Sequence, residues 1–296
     1  MKIAIIGHLG FVGSHLTKYF DKQNISWVGY DLVSGQDIRD AHKLDRFFEE
    51  NQISHVIHLA NLAGVRRGNE YPEEYISTNI LGTLNVVKMC EKYNVDHLIY
   101  YSSSSVYGEG NPPIVEIDNK NPKSLYGITK VAGELIVNSS KIEQTTILIP
   151  FTIYGGETES GCRKDSVIHK WIAQSKQGKP ITVYGDGSSC RGFVYIDDIV
   201  DITSKILINQ NRKWKHETFN IGGSEVIKLN DIINIFKDEI QTLARFQYLP
   251  MPDVDIKVNY ADTSKAKRIL GFDPKKMFKE NLIKIIKKEF YELKNN

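Results

Sequence analysis

The chain has 296 residues, 41% of them hydrophobic and 25% charged, with a formal net charge of +2 at pH 7. That length can bury the core of one large or two modest domains, and a near-balanced, interspersed charge gives no basis for a nucleic-acid or membrane partner. No apolar run is long enough to span a bilayer, the start lacks a secretory pattern, and Cys90, Cys162 and Cys190 lack metal-ligand spacing. We therefore expect free thiols in a reducing, cytoplasmic setting and no metal site.

Residues 2–6 form a short apolar run suited to a strand buried on both faces, and residues 14–20 read as helix. Between them Gly7, Gly10 and Gly13 fit a tight strand-to-helix turn. The backbone there, including Phe11 and Val12, can approach a pyrophosphate while the helix N-terminus adds partial positive charge. A second strand over 27–30 ends in Asp31, whose carboxylate can accept both hydroxyls of an adenosine ribose and repels a 2′-phosphate. No lysine or arginine follows within the next few positions, which favours NAD over NADP. Asp37 and Ile38 stand where they could touch the adenine; a polar loop with a helix cap is the alternative.

Strands over 56–60, 97–101 and 146–149 alternate with helices over 74–92 and from 126 to about 141. That order predicts a parallel sheet with helices on both faces. Ligands in such sheets sit beyond the carboxyl ends of the strands, so Gly7, Leu59, Ala60 and Ser103 should share one crevice.

Tyr126 is the only one of fifteen tyrosines with a lysine four residues later, and a run of serines, 102–105, precedes it. In a helix, Lys130 falls on the same face one turn along, where its ammonium favours the phenolate. Bringing a tyrosine from its ordinary pKa of about 10 into use near neutrality takes about 4 kcal/mol of preferential phenolate stabilisation. A serine hydroxyl from the adjoining strand could hold the oxygen whose proton moves. The alternative is an ordinary amphipathic helix with a surface lysine.

After Pro150 the pattern changes. Polar, glycine-rich loops are expected over 154–165 and 185–192, helices near 166–177 and 195–207, strands over 181–184 and 218–221, and a mostly helical, lysine-rich tail from 229. This predicts a smaller lobe over the crevice, with the chain crossing back once.

Taken together, these segments resemble the extended short-chain dehydrogenase/reductase superfamily, specifically its NAD-dependent nucleotide-sugar epimerase/dehydratase family. The likeness runs from the glycine turn through residues 75–85 and 183–198 to Tyr260-Ala261-Asp262 and Leu270-Gly271-Phe272. It implies an α/β fold, a Rossmann-type doubly wound parallel sheet with a smaller α/β substrate-binding lobe. Residues 1–150 would bind NAD, with a return near 193–222, and 151–296 would bind a nucleotide sugar. By position, Tyr126 resembles the catalytic base, Lys130 its partner and a ribose ligand, and Ser103 the hydroxyl that places the sugar oxygen. Asn79 would contact the cofactor. Tyr184 would lie against the base, Arg191 would grip the diphosphate, and Ser104, Thr152 and Val167 would face the substrate. Arginine suits the diphosphate because its planar fork matches phosphate oxygens.

Members that eliminate water carry two acids directly after the catalytic hydroxyl residue. Here those places hold Ser104 and Ser105, which resembles the 4-epimerases of UDP-sugars, glucose- or glucuronate-type. The implied reaction is C4 epimerisation through a transient 4-keto sugar. An NAD(P)H-linked reductase of a 4-keto nucleotide sugar would use the same three residues, and a dinucleotide-sensing binding protein would share the fold. The chain departs from the family at Ile149-Pro150 and Asn61. Residues 250–255 lack a second phosphate-binding arginine, with Lys257 the nearest replacement. The resemblance also implies a homodimer through the helices near 74–92 and 126–140, which carry Ile80, Leu84, Leu135 and Ile136.

Overall fold

A computed structural model describes residues 1–156, 166–208, 215–274 and 277–291. The chain begins as expected with strand, glycine turn and helix: β1 (Ile3–Ile6), then α1 (Phe11–Lys22). β2 (Trp27–Tyr30), α2 (Ala41–Asn51) and β3 (His55–His58) follow. Next come α3 (Val65–Glu70), α4 (Pro72–Tyr75), a π-helical stretch (Ile76–Gly82) and α5 (Thr83–Lys92). β4 (His97–Tyr101), α6 (Leu125–Asn138) and β5 (Gln144–Pro150) complete this half.

With β9 (Glu217–Ile221), reached through β6 (Thr152–Tyr154), α7 (Val167–Lys176), β7 (Ile181–Tyr184), β8 (Cys190–Tyr195) and α8 (Ile196–Ile208), these strands form a six-stranded sheet in the order β2-β1-β3-β4-β5-β9. Every pairing in it is parallel. Ile6 pairs with both Tyr30 and His58, so Gly7, Asp31 and Leu59 emerge side by side at one edge. Alternate residues of β1 serve different cores: Ala4 and Ile6 pack with Tyr30, Val56 and Leu98, whereas Ile3 and Ile5 pack with Ile57, Ile99 and Phe219. Period-two alternation into two apolar layers explains why the strands read as continuous apolar runs. Each isoleucine so buried contributes about 1.5–3 kcal/mol.

The helix expected over 74–92 begins earlier, at Pro72, and widens to π geometry between Ile76 and Gly82. An added Cβ on Gly82 would fall 2.5 Å from the Ile38 Cδ1, so glycine lets this wide turn approach the segment after β2. Such bulges are frequent at functional sites.

The second half differs more from expectation. Residues 190–195, partly expected as loop, form β8, which pairs with β6, with β10 (Val226–Lys228) and with β12 (Val258–Asn259). The tail from 229 contains α9 (Leu229–Ile240), but also β11 (Phe246–Leu249) on β7, and β12 before α10 (Ser264–Leu270) and α11 (Phe278–Phe290). These strands owe their state to distant partners, which local pattern does not reveal. Residues 193–195 remain in β8; the chain rejoins the main sheet through α8 and β9, and Ala266 and Phe272 pack there too. A third core around Trp171, Phe236, Ile232 and Leu282 fills the smaller lobe.

Candidate active site

The glycine turn is constrained on both sides. Gly7 has φ +93° and a Cβ there would meet the Ala60 backbone nitrogen at 2.6 Å; one on Gly13 would meet the Gly7 carbonyl oxygen at 2.3 Å. Only glycine allows strand end, helix start and the turn after β3 to close together. Gly10 is the N-cap of α1 and makes no side-chain cap bond, so the first-turn N–H groups are not claimed by a capping side chain. This cradle fits a dinucleotide pyrophosphate at a helix N-terminus. Phe11 sends its ring into the core beside His15 and His169, leaving its backbone to face a ligand, and Val12 is half-buried.

The Asp31 carboxylate accepts from the Leu9 N–H and the Val33 N–H, both at 2.9 Å. It therefore links the glycine turn to the loop after β2 and keeps lone pairs for two hydroxyls. Arg39 grips the Asp37 carboxylate through Nε and Nη2 and holds its pKa below the ordinary range. Asp37 is thus neutralised by a neighbour rather than presented alone, and the same pair engages the nearest arginine. Ile38 is buried against Gly82, and its carbonyl accepts from Asn85 at 3.0 Å. Leu59 and Ala60 leave β3 with their N–H groups donating to the Ile6 carbonyl at 2.8 Å. Asn61, beside them, donates to the Leu59 carbonyl at 2.6 Å.

Asn79 projects from the π-helical stretch into the interior. Its Oδ1 accepts from the Leu62 N–H at 2.7 Å, and its Nδ2 donates to the Leu62 carbonyl and to Thr129 Oγ1, each at 3.0 Å. These bonds make Asn79 a brace between the loop after β3 and α6.

α6 starts at Ser124, whose hydroxyl accepts from the Gly127 N–H at 3.1 Å. Tyr126 and Lys130 both lie on its inner side, and Lys130 is only 2% exposed, so the surface-lysine alternative fails. Its Nζ donates to the Tyr101 carbonyl and sits 4.4 Å from the centre of the Tyr100 ring. Burial lowers its pKa to about 7, with Glu134 opposing. Tyr126 packs edge-on to Tyr75. The start of α6 rests on the serine turn: a Cβ on Gly127 would fall 2.5 Å from the Ser105 carbonyl oxygen. Ser103, at the end of β4, caps that turn, its Oγ accepting from the Ser105 N–H and donating to Ser105 Oγ. Ser104 is buried and accepts from Asn259 Nδ2 at 3.2 Å.

Residues of the smaller lobe, with Arg66 from α3, line a cleft of about 140 Å³ that includes Val167, Tyr184, Arg191, Met251 and Asp255. Three residues expected there, Val167, Tyr184 and Arg191, are brought together; Thr152 lies on β6, half-buried. Arg191 donates to the carbonyls of Cys190 and Lys257, and burial lowers its pKa. Arg66 was not anticipated. Its guanidinium lies 3.7 Å from the Tyr184 ring centre and donates to Asp255 Oδ2 at 2.7 Å. The cleft thus has a second arginine, from α3, while Lys257 offers its carbonyl and is itself exposed. Arg66 and Asp255 are 189 positions apart, so no local signal joins them.

Cys90 is buried and Cys190 half-buried, both as thiols; Cys162 lies outside the described residues. Among the described residues, no cluster of histidine, cysteine and carboxylate groups could hold a metal ion, and no helix is long and apolar enough to cross a membrane.

The chain is similar to UDP-glucuronate 4-epimerase of Thermodesulfobacterium geofontis, 36% identical over 83% of this chain and 75% of that protein. It superposes on Bacillus cereus UDP-glucuronic acid 4-epimerase in complex with UDP-glucuronic acid and NAD, with a TM-score of 0.87 and 29% identity over 98% of this chain and all of the other. A Thermotoga maritima UDP-glucose 4-epimerase with UDP-glucose gives 0.88 at 26% identity, covering 99% of each chain. Residues 3–222 match the NAD dependent epimerase/dehydratase family, and the chain belongs to it.

Proposed function

We propose that the protein interconverts the C4 epimers of a UDP-sugar, glucose- or glucuronate-type, with NAD as cofactor. The observation that carries this reading is the buried Tyr126–Lys130 pair on the helix that rests against the serine turn. Tyr126 takes the proton of the sugar's 4-hydroxyl at its phenolic oxygen, the Lys130 ammonium one turn along favours the phenolate, and Ser103 Oγ holds the reacting sugar oxygen. When bound, NAD supplies the hydride acceptor and donor for C4. Gly7, Gly10, Phe11, Val12 and Gly13 cradle its pyrophosphate and Asp31 its ribose, with Leu59 and Ala60 closing the turn. Arg191 and Arg66 face the diphosphate of the sugar nucleotide, and Tyr184 offers an aromatic surface to its base.

Ser104 and Ser105 have no carboxyl proton to deliver, and elimination of water across C5–C6 requires such a carrier. That favours epimerisation over dehydration. The homodimer belongs to the same reading: Leu81, Ile128 and Leu135 are 53%, 49% and 64% exposed on the helical face around α5 and α6. Ile80, Leu84 and Ile136 are half-buried beside them. A cytoplasmic location is supported by the thiol state of Cys90 and Cys190.

The reaction is tested by incubating the protein with UDP-glucuronate and, separately, UDP-glucose, following products by NMR and absorbance in the nicotinamide band. The expected result is the C4 epimer with no net NADH. A 4-keto-6-deoxy product, or stoichiometric NADH consumption with a 4-keto substrate, would overturn it.

A further inference from the structure

The inner face of α6 carries a third ionisable side chain that the proposed reaction does not use. Tyr126, Lys130 and Glu134 recur every four residues, which stacks them along one side of the helix. Glu134 is 1% exposed. Its carboxylate accepts from Ser102 Oγ and from the Lys120 ammonium, which comes from the loop before α6. Ser102 directly precedes Ser103, and its N–H donates to the Leu148 carbonyl at 2.8 Å. One buried carboxylate therefore joins the end of β4, the Lys120 loop and the helix of the reacting pair.

An anchor for the loop does not need charge. A buried ion pair is weak evidence for stability, since neutral side chains of similar shape often serve as well. The charge gains a purpose from what surrounds Lys130. From β4 the ammonium meets the Tyr101 carbonyl and the face of the Tyr100 ring. From β3, His58 lies within its electrostatic reach and is kept neutral at a pKa of about 3, by burial first and by the Lys130 charge second. On its own helix Lys130 has Tyr126 one turn before and Glu134 one turn after. Glu134 is the carboxylate that acts on it, opposing the effect of burial, and Lys120 pairs with that same carboxylate.

We propose that Glu134 is a positioning residue for Lys130: its negative charge, tempered by Lys120, holds the buried ammonium protonated, while its bond to Ser102 fixes the strand end that presents Ser103. This rests on the epimerase reading only for the consequence in catalysis. The electrostatic relation stands on the fold.

The relation makes two variants move one quantity in opposite directions, which loosened packing would not do. Glu134→Gln keeps the shape and removes the charge, so Lys130 should lose its proton about one pH unit lower. Lys120→Met leaves Glu134 without its other cation, so Lys130 should lose its proton at higher pH than in the parent. Lys130 is read directly by NMR of protein labelled at the lysine Cε carbons, its signal identified by loss in Lys130→Met, on the protein as purified and again with NAD added. In parallel, the alkaline limb of kcat should move the same way as the Lys130 titration in each variant, with KM little changed. Shifts of the same sign in both variants, or an unmoved Lys130 in Glu134→Gln, would overturn the assignment. If Glu134→Gln does not fold, Lys120→Met decides alone: an upward shift supports the assignment, and no shift or a downward one overturns it. Opposite shifts in a protein that does not epimerise UDP-sugars would support the positioning role and refute the proposed reaction instead.

Discussion

Replacing Lys130 with methionine asks whether the fold holds a charge against a free-energy cost. Burial takes this ammonium from its ordinary pKa of 10.5 to about 7, which corresponds to about 5 kcal/mol of destabilisation when the group is charged in both states. The sign follows from proton linkage. For a lysine whose pKa is lowered by folding, the unfolded chain binds more protons between the two values, so stability rises with pH from about 7 to about 10.5. Below that window the penalty is present in full, and above it the penalty is gone. The shift already contains what the charge itself gains from its surroundings, so beyond it methionine loses only the amine's hydrogen bond to the Tyr101 carbonyl, about 1 kcal/mol. Lys130→Met should therefore be more stable than the parent by about 4 kcal/mol near pH 6, an advantage that falls to within about 1 kcal/mol near pH 10. Urea unfolding of the cofactor-free proteins across this range measures it directly. A variant less stable than the parent near pH 6, or a difference that does not change with pH, would refute the reasoning. The same substitution should abolish turnover, so that stability and activity move apart.

Tyr126→Phe deletes the proton acceptor and keeps the ring against Tyr75, so turnover should fall at least about a thousandfold while calorimetry shows NAD and UDP-sugar binding nearly unchanged. Substantial residual turnover would mean that another group is the base. Titration with both dinucleotides should show NAD bound much more tightly than NADP, because Asp31 repels a 2′-phosphate and Arg39 is already engaged by Asp37. Comparable affinities would remove the role given to Asp31. Light scattering at micromolar concentration should give the mass of a dimer, and Leu135→Glu should shift it to monomer; a monomeric parent would leave the exposed face of α6 without its proposed partner.

The local chain was enough to place the first half. Residues 2–31 show a buried strand, a turn that only glycine can make and a helix, and their order fixes a parallel sheet whose ligand crevice lies beyond Gly7, Asp31 and Leu59. Tyr126 and Lys130 were legible for the same reason: a spacing of four puts two side chains on one face of a helix whatever the rest of the chain does. Tertiary structure decided what those side chains are. Lys130 is a buried cation rather than a surface one because β4 supplies a carbonyl and a ring face around it, and Asn79 is a brace because a wide π-helical turn aims it at Leu62. β8, β11 and β12 became strands because partners far along the chain pair with them. Arg66 joined Asp255 from 189 positions away and Tyr184 from 118, and Lys120 and Ser102 reached Glu134 from two other elements. Periodicity and turn chemistry are written in neighbouring residues, whereas the environment of a charge is set by whatever the folded chain brings against it.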